Sequence, residues 1–370
     1  MTTDPLRIAV DAGPLYGQRT GVAAATEGIM QALERRHDVA VAPYLVSFRS
    51  TPTAGHRRLP LPGLVASHLW SRANRPLADR WLGEIDAVHG TNYVAPPTRL
   101  PTVISVYDCW FLAHPELAAP IVRRAGATLR RAVQRGAWIH ASSDATAEAA
   151  RSLLDTARVV TVHLGPPPTT PVSNELPQPA AASAFAGSQF VVSIATEERR
   201  KALPVLVQAF ALHAADDHTS HLVLAGGPGD ESDAISAAVS ALPESVRSRV
   251  HRLGRIDDGT KHWLLRHAAA LAYPSLDEGF GFPILESQAA GTPVVANRVG
   301  AITEVAGDAA VLVDEHHPEA FAAGLRRVLD GGVERLGLIE AGYRNVTRFS
   351  WERTAGGLVD LYRTAIEQHR

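Results

Sequence analysis

Short apolar runs and longer segments with helical spacing alternate along the first 160 residues of the chain. Runs of strand length are followed by stretches in which apolar residues recur every three or four positions, as on one face of a helix. The pattern predicts strands at 6–10, 39–46, 87–89 and 102–106, and helices at 22–36, 121–135 and 144–154. Strands that alternate with helices form a parallel sheet covered by helices, so an α/β domain is predicted here.

A proline-rich break interrupts this pattern at residues 165–179, where six prolines occur. Prolines at that density exclude helix and strand, which predicts a linker. The alternation then resumes, with strands at 190–194, 222–225, 270–273, 293–296 and 310–313, and helices at 202–214, 232–241 and 351–367. We therefore predict two doubly wound, Rossmann-like α/β domains that face a central cleft. Ligands of such domains bind at the carboxyl ends of strands, so the cleft is the expected site.

Composition places the chain among globular proteins. With 370 residues it is long enough for two domains, and its apolar content of 46% is too high for a disordered chain. The single cysteine, Cys109, excludes a disulfide framework and a multi-cysteine metal site. Because the sequence contains neither a run of about 18 apolar residues nor a leader-like N-terminal pattern, we expect a cytoplasmic protein without a membrane span.

The most informative segment, residues 273–291, leaves a predicted buried strand, passes through a glycine-rich loop and begins a helix. Gly279 and Gly281 allow the backbone to approach a ligand, and the amides at the helix N-terminus can bind an anion. Glu278 lies in the loop and Glu286 in the helix, on either side of these amides. This pattern suits a ligand with hydroxyls at both ends and a phosphate between them, such as a nucleoside diphosphate sugar. A plain strand–helix turn with two solvated glutamates is the alternative.

The spacing Glu-x7-Glu within Glu-Gly-Phe-Gly-Phe-Pro-x-x-Glu, from Glu278 to Glu286, resembles the signature of family 4 glycosyltransferases. These are retaining enzymes of the GT-B fold. The similarity continues through residues 290–314 and extends over nearly the whole chain, from Ile8 to Trp351. The resemblance implies that Glu278 contacts the donor sugar and that Glu286 contacts the nucleotide ribose. It also implies that the intervening loop contributes to the donor site, through Gly279, Phe280, Gly281 and Phe282.

The resemblance implies a role for each predicted domain. Residues 1–170 would bind the acceptor, and they would be joined by the C-terminal helix at 351–370. Residues 171–350 would bind the nucleotide-sugar donor. Closure at the hinge would exclude water and protect the donor from hydrolysis.

A second motif, from Ala195 to Lys201, follows a predicted strand and contains adjacent basic residues, Arg200 and Lys201. A diphosphate leaving group needs roughly two positive charges to stabilise it. The chain has no Asp-x-Asp pair of the kind that holds a metal–diphosphate complex, so we expect neither a metal nor another cofactor. The resemblance assigns diphosphate binding to Arg200 and Lys201, although Ala195 replaces the family's glycine. A solvated helix start is the alternative.

Candidate residues of the N-terminal domain depart from the family pattern. Gly21 precedes the first helix, where the resemblance implies a loop near the diphosphate and acceptor, but Ala23–Ala25 replace a second glycine and an arginine. Tyr107 replaces a histidine that would face the sugar, and a tyrosine cannot act as a base near neutral pH. The neighbouring Asp108 is a candidate catalytic residue in contact with acceptor or sugar. His89 matches family usage, but a structural histidine at the end of a strand is an equal alternative.

Five arginines occur on the helix predicted at 121–135, where one adjacent pair follows another after seven residues and a single arginine ends the segment. They could face an anionic membrane or a lipid-linked, phosphate-bearing acceptor, or they could be a solvated face. Aromatic residues are not interleaved with them, which argues against nucleic acid. The arginines are Arg123, Arg124, Arg130, Arg131 and Arg135.

The predicted function is retaining transfer of a sugar from a GDP- or UDP-sugar to a hydroxyl acceptor in glycan or glycolipid biosynthesis. Residues 88–97 resemble segments of bacterial mannosyl- and rhamnosyltransferases, which favours GDP-mannose. The protein would be cytoplasmic, either free or peripheral at the inner membrane face. The alternative is a non-catalytic relative that binds a nucleotide sugar and assists an active transferase. The departures at Tyr107 and Ala23–Ala25 favour it slightly, whereas the intact Glu-x7-Glu spacing and the Arg200–Lys201 pair argue against it. A nucleotide-sugar epimerase has no motif in its support.

Overall fold

A computed structural model describes residues 4–18, 20–48, 52–167 and 177–369. The chain divides into two compact units. The first comprises Met1–Pro168 together with Phe349–Arg370, and the second comprises Thr169–Arg348. Most of the predicted proline-rich linker, residues 168–176, lies outside the described residues.

The described part of the first unit contains a sheet of seven parallel strands. Their order across the sheet is β3-β2-β1-β4-β5-β6-β7, so the chain builds outward from β1 in one direction and then in the other. The strands are β1 (Leu6–Asp11), β2 (Val39–Val46), β3 (Arg57–Leu59), β4 (Ala87–Gly90), β5 (Thr102–Val106), β6 (Trp138–Ala141) and β7 (Val159–Thr161).

Helices connect these strands, and local capping explains where two of them begin. Thr20 accepts a hydrogen bond from the Ala23 amide at 3.3 Å, and Ser143 accepts one from the Thr146 amide at 3.1 Å. The helices are α1 (Gly21–Glu34), α2 (Gly63–Trp70), α3 (Asp79–Leu82), α4 (Trp110–Ala113), α5 (Pro120–Gln134) and α6 (Asp144–Leu154).

The second unit repeats this topology. Its described residues form six parallel strands in the order β10-β9-β8-β11-β12-β13, the same outward build from the first strand. The strands are β8 (Phe190–Ile194), β9 (His221–Ala225), β10 (Val250–Gly254), β11 (Ala270–Tyr273), β12 (Val294–Asn297) and β13 (Ala310–Val313).

Helices cover both faces of this second sheet. Successive strand side chains point to opposite faces, so Val191 packs with Leu206 and Phe321 on one side and Val192 packs with Leu264 and Ile284 on the other. The helices are α7 (Leu203–His213), α8 (Ser232–Ser240), α9 (Glu244–Arg247), α10 (Asp258–His267), α11 (Phe282–Ala289), α12 (Gly300–Ala306), α13 (Pro318–Leu329) and α14 (Val333–Val346).

The last helix, α15 (Trp351–Glu367), belongs to the first unit although the second unit precedes it in the chain. Ser350 caps it by accepting a hydrogen bond from the Arg353 amide at 3.2 Å. A Cβ atom at Gly28 would lie 2.2 Å from the Trp351 ring, so this glycine permits α1 and α15 to pack closely. The prediction of two doubly wound α/β domains is confirmed.

A chain of buried polar side chains joins α15 to the first sheet. Tyr362 Oη lies 2.7 Å from His89 Nδ1, and His89 Nε2 lies 2.8 Å from Ser105 Oγ. Ser105 Oγ lies 2.8 Å from His140 Nδ1, and His140 Nε2 lies 2.9 Å from the Val162 carbonyl oxygen. A carbonyl only accepts, so His140 donates from Nε2 and accepts from Ser105. The hydroxyl of Ser105 then accepts from His89, and His89 accepts from Tyr362, which fixes both tautomers.

Both histidines in this chain of hydrogen bonds are neutral. Burial lowers the pKa of His89 to about 3, and His140 adds to this effect. Burial also lowers the pKa of His140 to about 4, although the hydrogen bond to the Val162 carbonyl partly opposes this. Below the ordinary histidine pKa of about 6.5, the unfolded chain binds protons that the folded chain does not bind. The contribution of these histidines to stability therefore decreases as pH falls from about 6.5 towards 3.

We predict that His89→Gln lowers the unfolding temperature relative to the wild type at about pH 7.5. At about pH 5 the difference in unfolding temperature between the two proteins should be smaller. At the higher pH the variant loses two buried hydrogen bonds, which costs about 1–3 kcal/mol. At the lower pH only the wild type carries the penalty of excluding a proton from residue 89. Thermal denaturation followed by circular dichroism measures both differences, and an equal deficit at the two pH values would contradict the prediction.

Candidate functional site

The candidate site forms where the strand order of the second sheet reverses. The chain leaves β8 and β11 towards opposite faces of the sheet, which leaves a crevice at their carboxyl ends. Two loops line this point, residues 195–202 after β8 and residues 274–281 after β11. The Leu276 amide donates a 2.8 Å hydrogen bond to the Arg200 carbonyl oxygen, which links the two loops.

Close backbone packing holds the first of these loops against the turn after β9. A Cβ atom at Gly226 would lie 1.8 Å from the Ala195 carbonyl oxygen, so only glycine fits there. The Ala195 amide donates to the Ala225 carbonyl at 3.0 Å, extending the strand pairing, and Ala195 is not among the residues with positive φ. The alanine that replaces the family's glycine is therefore accommodated without backbone strain. Ala202, at φ +48°, is the loop's left-handed residue.

An ion pair between a buried glutamate and a partly exposed arginine anchors the same loop through its side chains. Glu197 is 7% exposed, and its Oε1 and Oε2 both lie 2.7 Å from Arg252 Nη2 on β10. Ser232 Oγ donates to Glu197 Oε2 at 2.6 Å. Sequence analysis missed this pair because an ion pair between residues 55 positions apart leaves no local signal.

Arg200, Lys201 and Glu278 form a buried charged cluster where the two loops meet. Lys201 Nζ forms an ion pair with Glu278 Oε1, and Arg200 Nη1 lies 3.1 Å from Glu278 Oε2. The side chains of Glu278 and Lys201 are only 7% and 9% exposed, and that of Arg200 is 20% exposed. Arg200 Nε also lies 2.9 Å from Glu198 Oε2. Glu278 is thus brought together with the adjacent Arg200 and Lys201, which lie more than 70 residues before it in the sequence.

Glu278 is ionised in this cluster despite its burial. Burial raises the pKa of its carboxyl group, but the charges of Lys201 and Arg200 outweigh that effect and lower the pKa to about 2. Burial has the larger effect on Lys201 and lowers the pKa of its amine, while Glu278 opposes the change. The Tyr273 hydroxyl interacts with Glu278, and the Tyr273 ring lies 5.5 Å from Lys201 Nζ. Burial raises the pKa of Tyr273 well above its usual value of 10, so this hydroxyl remains a donor.

The second glutamate of the motif is also paired with a lysine. Lys261 Nζ on α10 lies 2.6 Å from Glu286 Oε1 on α11 and 3.6 Å from Asp258 Oδ1. The side chain of Glu286 is 10% exposed and that of Lys261 is 27% exposed. Lys201 and Lys261 are the only lysines of the 370-residue chain, and each contacts one motif glutamate. Because lysine is so rare in this chain, the presence of a lysine at position 261 is the signal that could have identified it as a site residue.

The segment between the two glutamates turns sharply into α11. Gly281 adopts φ +95°, a left-handed conformation that favours glycine. Phe280 is buried, and its ring meets that of Phe282 edge to face at 5.5 Å. Gly279 is likewise buried in the loop. The predicted donor-binding segment therefore runs along the crevice, and contact of these residues with a donor stays a prediction.

The candidates in the first unit have local partners. Asp108 Oδ2 accepts from the Tyr93 hydroxyl at 3.0 Å, and its Oδ1 accepts from the Trp110 amide at 3.2 Å. Both carboxylate oxygens thus already support the turn into α4. Gly21 is the exposed first residue of α1. The roles of Asp108 and Gly21 stay predictions.

Three other residues of the first unit, His89, Tyr107 and Cys109, are buried. Both ring nitrogens of His89 are paired within the unit, which agrees with the structural alternative. Burial raises the pKa of Tyr107, so it remains a phenol near neutral pH. Cys109 is buried, with its Sγ 3.9 Å from the Thr146 carbonyl oxygen. Among the described residues, no group of three or more histidine, cysteine, aspartate or glutamate side chains could hold a metal ion.

Comparison with known families identifies the domain that carries this site. Residues 189–331 match the family described as glycosyl transferases group 1. These residues form a glycosyltransferase group 1 domain. The matched segment contains both loops and both lysine–glutamate pairs. The resemblance stated from the sequence is thereby confirmed.

Curated relatives match the chain over part of their length. A D-inositol 3-phosphate glycosyltransferase of Acidothermus cellulolyticus is 34% identical over 181 residues, which are 46% of this chain and 38% of that protein. The O-antigen chain mannosyltransferase B of Escherichia coli is 30% identical over 175 residues, which are 47% of this chain and 45% of that protein. The matches thus span less than half of the length of these relatives.

Structural comparison extends the similarity of fold beyond the group 1 domain. The sucrose-phosphate synthase from Thermosynechococcus elongatus superposes with a TM-score of 0.72, covering 98% of this chain and all of that one at 18% identity. At that identity the match shows the fold alone. The two Rossmann-like units are those of a GT-B glycosyltransferase fold.

We predict that Gly226→Ala destabilises the group 1 domain by about 1–3 kcal/mol, because the added methyl group would overlap the Ala195 carbonyl oxygen. Gly259→Ala is the matched control, because its nearest neighbour would lie at an ordinary 3.6 Å. Thermal unfolding of both variants measures the difference. A Gly226→Ala variant as stable as Gly259→Ala would show that the turn after β9 does not hold the loop tightly.

Proposed function

We propose that the protein is a retaining glycosyltransferase that moves a hexose from a nucleoside diphosphate sugar to a hydroxyl acceptor. The buried cluster of Arg200, Lys201 and Glu278 within a group 1 domain is the observation that carries this proposal. Two cations and an ionised carboxylate lie where the strand order of the second sheet reverses, and they suit a ligand that joins a diphosphate to a polyhydroxylated ring. Glu286, 2.6 Å from Lys261, supplies a second carboxylate for the ribose hydroxyls.

The proposed reaction replaces one bond to the anomeric carbon by another on the same face of the sugar. The bond from that carbon to the phosphate oxygen breaks, and the acceptor hydroxyl oxygen forms the new bond. The departing phosphate oxygen takes the hydroxyl proton. Arg200 and Lys201 stabilise the negative charge that develops on the diphosphate, which is why we propose that no metal is required.

Glu278 serves this reaction as a carboxylate. Because its pKa is about 2, Glu278 accepts hydrogen bonds from sugar hydroxyls and does not act as a general acid near neutral pH. The acceptor would bind in the first unit, near Gly21 and Asp108. Both relatives described above are named as transferases, which supports catalysis against the non-catalytic alternative that the departures at Tyr107 and Ala23–Ala25 favour.

The donor that we favour is GDP-mannose, for use in polysaccharide or glycolipid synthesis. Support comes from the resemblance of residues 88–97 to mannosyl- and rhamnosyltransferases and from the named activity of the Escherichia coli relative. A UDP-sugar is the other candidate, which a binding experiment distinguishes.

Calorimetric titration with GDP and UDP, without added metal, tests the proposed donor site. We expect one nucleotide to bind the wild type, and Lys201→Ala and Glu286→Ala each to weaken that binding by tenfold or more, about 1.4 kcal/mol. A lost charge-assisted bond to phosphate is worth about 1.5–3 kcal/mol, which sets the scale for Lys201→Ala. The nucleotide that binds identifies the base of the donor.

The control for this titration is Glu334→Ala, which removes an exposed glutamate paired with Arg327 on the α13–α14 surface. It should bind as the wild type does. If neither nucleotide binds the wild-type protein, the donor-site assignment is wrong.

The proposed acceptor is lipid-linked, and the protein would meet it at a membrane surface. No helix of the described residues is long and apolar enough to cross a bilayer. The first unit instead exposes what we call the basic-apolar face, formed by α2 and the start of α5, which pack together. Its exposed apolar residues are Leu64, Val65, Leu69, Ile121 and Val122, with Leu117 just before α5, and its arginines are Arg72, Arg123 and the half-buried Arg124.

The arginines of α5 and its C-cap divide into two groups. Arg130 donates to the Leu153 carbonyl oxygen, Arg131 to the Ser71 carbonyl oxygen, and Arg135 to the Asn74 side chain. Arg123 and Arg124 line an open depression of about 340 Å³ and have no acidic partner among the described residues. Unpaired arginines beside exposed leucine, isoleucine and valine suit an anionic lipid surface.

Sedimentation with phosphatidylcholine vesicles, with and without phosphatidylglycerol, tests the basic-apolar face. We expect binding only to the anionic vesicles, and we expect Arg123→Ala with Arg124→Ala to weaken it by about 30-fold, at roughly 1 kcal/mol per arginine. The matched control removes the same charge from the same helix through Arg130→Ala with Arg135→Ala. Equal loss in both double variants would mean that only net charge matters and that the face is not specific.

A further inference from the structure

Lys201 is a buried amine whose acidic neighbours, among the described residues, come from the loops of the candidate site. Its side chain is 9% exposed and forms an ion pair with Glu278. The charged and titratable groups that face it are Glu278 and Glu198, which favour its positive charge, and Arg200 and Tyr273. Burial and Arg200 both disfavour that charge. Glu278 is the partner that offsets them most strongly.

We propose that Glu278 keeps Lys201 protonated in its buried site and thereby sets the affinity of the domain for the diphosphate of the donor. This role rests on the proposed function and adds to the sugar contact that the resemblance implies for Glu278. In it Glu278 is a positioning residue that acts on the diphosphate through Lys201.

The physical reason is that a buried amine without a counter-charge loses its proton. Desolvation lowers the pKa of Lys201, and removal of Glu278 would leave Arg200 to lower it further. A neutral amine can still accept a hydrogen bond, but it offers no charge to a diphosphate. The same substitution removes a negative charge that repels the ligand. Loss of Glu278 should therefore strengthen diphosphate binding at low pH and weaken it at high pH.

The two lysines of the chain permit a direct test that needs no ligand. Protein grown with lysine labelled with ¹³C at Cε should give two lysine signals, which Lys201→Arg assigns. We expect Glu278→Gln to shift the titration of Lys201 to lower pH and to leave Lys261 unchanged. Glu286→Gln is the matched control, because it removes the partner of Lys261 and should alter only that signal.

Binding of the nucleoside diphosphate identified by calorimetry then tests the consequence. The affinity of Glu278→Gln for this nucleotide is measured from about pH 6 to pH 9. It should fall by up to tenfold per pH unit once Lys201 deprotonates, whereas the affinity of the wild type for the nucleotide should vary less. The nucleotide has no sugar, so a role confined to sugar contact predicts no such dependence. The two affinity curves should cross within this range.

The variant Lys201→Arg keeps a positive charge at residue 201, so it separates the proposed effect of Glu278 on the charge of Lys201 from misfolding caused by Glu278→Gln. In Lys201→Arg the guanidinium stays charged at every accessible pH, so adding Glu278→Gln should introduce no new pH dependence. An unshifted Lys201 titration in Glu278→Gln would overturn the inference, even if the nucleotide binds the wild type. A shifted titration with no nucleotide binding to the wild type would instead overturn the proposed function and confine the inference to the lysine.

Discussion

Glu278 is charged inside the second unit because Lys201 and Arg200 reach it from the loop of a neighbouring strand. Each member of the cluster depends on the others, since a buried charge without its partner costs several kcal/mol. The two loops can meet only because β8 and β11 are adjacent in the sheet while their connections diverge. The close packing of Gly226 on Ala195 holds the first loop, so the charge cluster depends on an uncharged contact between backbones.

Much of this site could be predicted from the sequence, because its signals are local. The segment from Glu278 to Glu286 carries a fixed spacing and a glycine whose φ of +95° the turn requires. Arg200 and Lys201 are adjacent, and strands such as Phe190–Ile194 are apolar runs, interrupted here only by Ser193. Such runs are typical of parallel strands that are covered on both faces. The predicted bounds of that strand agree with the structure residue for residue.

The features that escaped prediction depend on long-range contacts or on weak patterns. The strand Val250–Gly254 lies at the edge of its sheet and carries histidine and arginine, so it has no apolar run to mark it. The Glu197–Arg252 pair and the partner of Glu286 join residues that only the folded sheet brings together. Asp108 is a different case, because its carboxylate oxygens already accept hydrogen bonds from Tyr93 and Trp110, while its role in the chemistry stays a prediction.

The same strand order serves two different electrostatic environments. Asp11 ends β1, which occupies in the first sheet the place that β8 occupies in the second. Burial raises the pKa of the Asp11 carboxyl group to about 6, although a hydrogen bond from the Gly13 amide partly opposes this. Glu278, beside two cations, shifts the other way, to about 2. Burial alone therefore does not decide the charge of a carboxyl group at a strand end; the nearby cations do. Two cations, Arg200 and Lys201, lie at this point of the second unit and suit an anionic ligand. This agrees with the proposal that the second unit binds the donor diphosphate.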